Sequence, residues 1–148
     1  MVAGAGAIAR GTHRLDDLAR NVGVKPRPES VASDDILIAR VAREQNVLLG
    51  LVEAVVARHS TLAGGLAPFA EIGQVQVKAL GGSDTVPVAP EVAADPPRAV
   101  SALSRAYDTA STARAKDAGH AVSPDLARVL SSMSAGLAQC ARAIGDLR

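Results

Sequence analysis

Few side chains in this sequence could do chemistry, and each must be placed before its chemistry can be judged. The only cysteine, Cys140, stands in "SAGLAQCARAI" (134–144). A thiolate could attack an electrophile or hold a soft metal. Cys140 nevertheless falls in the series Leu126, Leu130, Met133, Leu137, Cys140, Ile144 and Leu147. That is helical spacing, and it puts the thiol on an inward face. Buried among apolar groups, a thiol has a raised pKa and packs as a small hydrophobe; a redox or intermolecular role is the alternative. The three histidines, His13, His59 and His120, share no helix face and form no zinc spacing. His59 and His120 are expected at helix ends, exposed or facing the negative end of the dipole.

Glu44 raises the sharper question. It lies on the stripe Leu37, Val41, Leu48, Val52 and Val55. A carboxylate there must be paired, protonated or hydrated. The expected solutions are a bond to the Tyr107 hydroxyl, the Gln76 amide or a nearby arginine, or a small rotation that exposes it. A former metal ligand and a polar cavity wall are the alternatives. Arg40, Arg43, Arg105 and Arg114 are expected on outer, solvated faces, pairing with nearby acids.

Four helices must position these groups. Residues 1–33 read as an irregular arm, broken by Pro26 and Pro28, with one short helical turn around Leu15 to Arg20. Ser33 as N-cap, followed by Asp34 and Asp35, opens a helix over about 34–58. A second helix covers about 62–80, with Leu62, Leu66, Phe69, Gly73, Gln76 and Leu80 inward, and Gly81 stops it. The crossover 81–96 contains Pro87, Pro90 and Pro96 and cannot be helical. A third helix runs over about 97–118, with Leu103, Ala106 or Tyr107, Ala110 and Ala113 inward. The fourth, about 124–147, opens on Ser123 as N-cap and Pro124 at the first position.

Composition narrows the classes of function. The chain has 148 residues and a net charge of +1. One domain is expected, with no field to attract nucleic acid or an anionic membrane. Phe69 and Tyr107 are its only aromatic residues, too few for base-stacking platforms. No apolar run approaches the roughly 20 residues of a membrane span. The opening "MVAGAGAIARG" lacks the charged and apolar regions of an intact signal peptide. No strand precedes a glycine cluster, so "GGLAP" and "DAGHAVSPD" are turns rather than phosphate loops.

Short joins between helices one and two, and three and four, predict antiparallel hairpins. A 20-residue helix is roughly 30 Å long. The crossover, extended, reaches roughly 55 Å, enough to travel the whole bundle. Two hairpins joined by one long crossover resemble the ferritin-like bundle, all-α with four helices. "GTHRLDD", the stretch "RHSTLAGGLAPFAEIGQVQVKALGG" and "SPDLARVLSSMSAGLAQCARAI" carry a resemblance to small ferritin-like proteins of high-GC bacteria, often secreted or lipoprotein-like. The resemblance covers most of residues 11–147 and implies a cell-envelope setting. In such bundles a metal pair is held by a Glu on each of two helices and Glu-x-x-His pairs on the other two, about six ligands in all. Here Glu44 is of the right type, but Tyr107, with Asp108 beside it, stands at the position on the third helix, and Gly73 and Gln76, and Leu137 and Cys140, occupy the two paired positions. The missing lipobox cysteine departs from the anchored members.

The expectation is therefore a non-catalytic bundle without cofactor, serving as a structural or interaction module. Its first expected partner is a second copy, met through a small-residue helix face such as Gly64, Gly65 and Gly73. Nucleic acid is not expected. The alternatives are a metal-binding oxidoreductase built on Glu44, Glu71, Tyr107 and Asp108, and a small-ligand carrier using the bundle interior.

Overall fold

The computed structural model describes residues 29–82, 88 and 90–147. By compactness the chain divides into residues 1–30 and 31–148, and the account below concerns the second unit. The expected arm with its turn around Leu15 to Arg20 lies outside the described residues, as does the middle of the crossover. The described chain is all-α: α1 (Glu29–Arg58), a 3-10 turn (Ser60–Leu62), α2 (Ala63–Ala79), α3 (Pro96–His120) and α4 (Pro124–Gly145).

Helix α1 begins earlier than its sequence signals predict. Ser33 is inside the helix and does not cap it. No breaker separates Pro28 from Leu37, so a helix once nucleated propagates back to the proline. The other boundaries follow their signals. Gly81 and Gly82 take φ of +93° and +76°. The Gly82 N–H donates to the Val77 carbonyl at 2.8 Å and the Gly81 N–H to the Lys78 carbonyl at 3.2 Å. These are the two bonds of a Schellman stop, and a left-handed backbone is what glycine supplies there. Asp95 caps α3 through the Arg98 N–H, and Ser123 caps α4 through the Leu126 N–H.

Helix directions follow from which residues meet. Across α1 and α2, Gln45 meets Gln76 and Leu49 covers Gly73, so the two run in opposite senses. The chain direction turns by 117° at their break, an open hairpin rather than a flat one. Across α1 and α3, Arg40 meets Asp117 and Glu44 meets Arg114, again antiparallel. Across α3 and α4, Ser104 bonds the Ala141 carbonyl and Ser111 the Ser134 carbonyl, both at 2.8 Å. The order of directions is thus up, down, down, up, and the long crossover is what allows α3 to run with α2.

The α3–α4 seam is built from small residues. Ser104, Ser111 and Ala118 recur every seven residues on α3, and Ala127, Ser134 and Ala141 on α4. Ser134 Oγ also donates to the Ser111 carbonyl at 2.8 Å, so this serine pair bonds backbone in both directions. Hydroxyls that reach a neighbouring helix's carbonyls need close backbones, which small side chains permit.

Apolar burial falls in two clusters. The larger holds Leu48, Val52 and Val55 of α1 with Leu66, Leu103, Tyr107, Leu137 and Ile144. The smaller holds Leu37, Val41 and Leu130. Phe69 meets Tyr107 edge-on, with ring centroids 6.3 Å apart. No single helix among the described residues is long and apolar enough to cross a membrane.

Candidate functional site

Along α1, the turn between the two apolar clusters carries charge. Arg40 Nη1 donates to Glu44 Oε1 at 3.1 Å, and its Nη2 to Asp117 Oδ1 at 2.5 Å. Arg114 Nε donates to Asp117 Oδ2 at 2.9 Å, and its Nη2 to Glu44 Oε2. Each guanidinium therefore touches both carboxylates, in a closed ring of alternating sign and no net charge. The Arg114 side chain is 1% exposed and that of Asp117 is 6%. A fully buried guanidinium is tolerated only when its charge and donors are matched. Burial pushes the Glu44 carboxyl up, but Arg114 and Arg40 outweigh it and hold the group below its ordinary value. The Asp117 bond, partly offset by burial, raises the Arg40 guanidinium.

This ring corrects two expectations. Glu44 is not inward: its side chain is 45% exposed, and Gln45 takes the buried position beside it. A slight rotation of the stripe is the reason, and the arginine pairing and the exposure expected for such a carboxylate occur together. Arg114 is not a solvated outer residue. It stands seven positions beyond Tyr107, so the stripe that buries Tyr107 also buries Arg114. Asp117, three residues further on, was not among the candidate residues. Extending the Leu103–Tyr107 spacing by two more turns, and noting an acid three residues after the arginine, is the signal that finds the pair.

Asp34 was expected to favour its own helix's N-terminus. Instead its buried carboxylate accepts the Val122 N–H at 2.9 Å and the Ser123 N–H at 2.8 Å. It fastens the α3–α4 turn to α1. That destination leaves no trace in local sequence.

The positions compared with metal ligands have other occupations. Gln76 Oε1 accepts from Gln45 Nε2 at 2.6 Å, and Gln45 Oε1 has no hydrogen-bond partner. Gly73 lies under Leu49, where an added Cβ would stand 3.2 Å from Leu49 Cδ1. Leu137 is buried in the larger apolar cluster, and Cys140 packs against it half-buried. Burial pushes the Cys140 thiol up and, with Cys140 beside it, the Tyr107 phenol too. Of the alternative metal set, Tyr107 is buried, whereas Glu71 and Asp108 are exposed. No group of three or more His, Cys, Asp or Glu among the described residues could hold a metal ion. His13 lies outside the described residues. His59 ties the end of α1 to the crossover, its Nε2 standing 2.8 Å from the Ala93 carbonyl, and His120 is exposed in the last turn of α3.

Two grooves flank α3. One, of about 430 Å³, is walled by Val47, Leu48 and Leu51 of α1 and by Ala106, Ala110 and Ala113 of α3, with Glu44 at its rim. Small side chains on α3 create it. The other, of about 480 Å³, lies over the α3–α4 seam, where Arg105, Asp108, Arg142 and Asp146 line it. The small-residue face expected to meet a partner is mostly used within the chain. Gly65 lies against Leu147 as Gly73 does against Leu49, and only Gly64 has open space.

No family model, curated protein or solved structure matches the chain.

Proposed function

We propose that this chain is a non-catalytic helical bundle of ferritin-like type that works by contact with other protein. The up, down, down, up order and the long crossover support the ferritin-like arrangement. The observation that carries the non-catalytic reading is the state of Glu44. It is the one residue of suitable type at a ligand position, and two guanidiniums hold it, from Arg114 and Arg40. A metal ion at Glu44 would have to displace both and would sit against their positive charge. Gln45 with Gln76, Gly73 under Leu49, and Leu137 with Cys140 in the apolar cluster add to it, because each is committed to packing within the bundle.

The test is metal analysis of protein produced in medium rich in iron and manganese. Only traces of metal are expected, equal in the parent and in Glu44→Ala. Stoichiometric metal in the parent that is lost in Glu44→Ala overturns the reading in favour of the oxidoreductase alternative.

A further inference from the structure

Helix α2 has two faces of different fate. One carries Leu66, Phe69, Gly73 and Gln76 toward the bundle. The other displays Pro68, Ile72, Val75 and Ala79 to solvent, with Ile72 43% and Val75 68% exposed. Their spacing is four, three and four, the narrow seam that a coiled coil buries. In heptad terms these are the core positions of a second interface on a helix that already has one. Glu71 and Lys78, seven residues apart, stand along one flank of this seam. Both are exposed, and neither has an ion-pair partner among the described residues.

From that pattern we infer that the outward seam of α2 is a self-association surface, on which a second copy packs its own α2 antiparallel about a two-fold axis. This rests on the interaction-module reading and names its partner. The charges select both partner and direction. Glu71 and Lys78 occupy equivalent flanking positions of successive heptads. In an antiparallel pair, equivalent flanks face each other, so Glu71 meets Lys78 of the partner subunit, and symmetry makes the contact twice. The same axis sets Ile72 beside Val75 of the partner subunit and Pro68 beside Ala79 of the partner subunit. A parallel pair would instead set both charges against the other flank, where Phe69 and Gln76 already face the chain's own bundle. A membrane surface is the poorer occupant, since it favours basic flanks and here an acid balances the one lysine. An interface limited to one helix per copy falls at the small end of specific interfaces, under about 1,200 Å², so the association is weak and reversible.

Sedimentation equilibrium of the full chain over a range of concentrations tests this. The parent is expected to show a monomer–dimer equilibrium. Val75→Asp should weaken it by about tenfold or more, as should Glu71→Lys or Lys78→Glu alone, each of which sets like charges opposite one another. The double variant E71K/K78E should restore it, and circular dichroism should show all four variants as helical as the parent, since these residues are exposed. A monomer at every concentration overturns the inference. So does a dimer indifferent to these variants, or a monomer that sediments with anionic phospholipid vesicles through Val75. Each of these results leaves the metal test standing, and stoichiometric metal at Glu44 would leave the dimer standing.

Discussion

Helix α1 is held by two seams that solve the same problem with different chemistry. Toward α3 it uses ions: Arg40 and Glu44 close a ring with Arg114 and Asp117, and Asp34 binds the turn beyond. Toward α2 it forms no ion pair among the described residues: that seam holds the Gln45–Gln76 amide pair, the bare backbone of Gly73 beneath Leu49, and the apolar cluster in which Leu48, Val52 and Val55 join Leu66. The ionic seam fixes register strongly, because a shift of one residue would leave a buried guanidinium unmatched. The neutral seam allows closeness but specifies less, and one of its amide oxygens has no partner. Alignment of α1 is thus set from the α3 side, and α2 is held chiefly by shape.

The comparison breaks most readily at Arg114. Replacing it by alanine leaves the buried Asp117 with Arg40 as its one ionic partner and its Oδ2 without a donor, and should cost about 3 kcal/mol in urea unfolding. Arg114→Met in combination with Asp117→Leu removes both charges and should cost much less. If the single and double variants were equally damaging, the seam would be holding by volume rather than by charge.

Acid sharpens the comparison next. The Glu44 carboxyl is held below its ordinary value of 4.5. Its contribution is therefore complete above that value and is lost as pH falls through the lowered one. With nearly half the side chain exposed, solvent screening limits that contribution to about 1 kcal/mol. Glu44→Gln should flatten the acid limb of a stability–pH curve, and a limb unchanged by it would remove Glu44 from the seam's electrostatics. The neutral seam should respond least. Gln45→Leu with Gln76→Leu exchanges a half-satisfied amide pair for apolar packing, and thermal unfolding should shift little or rise. A large loss would show the amides to be specific fasteners.

The helices were largely legible in the sequence because their punctuation is local. Ser123–Pro124 and Gly81–Gly82 are each read from three or four residues; Asp95, the cap of α3, was not among the expected caps. The start of α1 was misplaced because Ser33 and Asp34 look like a cap, while Asp34 serves a turn at Val122 and Ser123. The inward stripes of α2 and α4 were read correctly from spacing alone. The charged ring was not. An arginine at a stripe position is ordinarily taken as the stripe's end, and only the arrival of Glu44 and Asp117 from two helices makes its burial affordable. Burial of a charge depends on what lies across the fold, and that is the part of a structure to which local spacing is blind.

The Asp34 carboxylate has one more consequence. Its two donors lie 88 and 89 residues along the chain. A chain made from its N-terminus at about 5–20 residues per second has α1 in hand well before those donors exist. The α1–α2 hairpin can form early, but α1 cannot take its final setting until the last hairpin has emerged. The start of α1 and the start of α4 are thus completed together, long after α1 itself has been made.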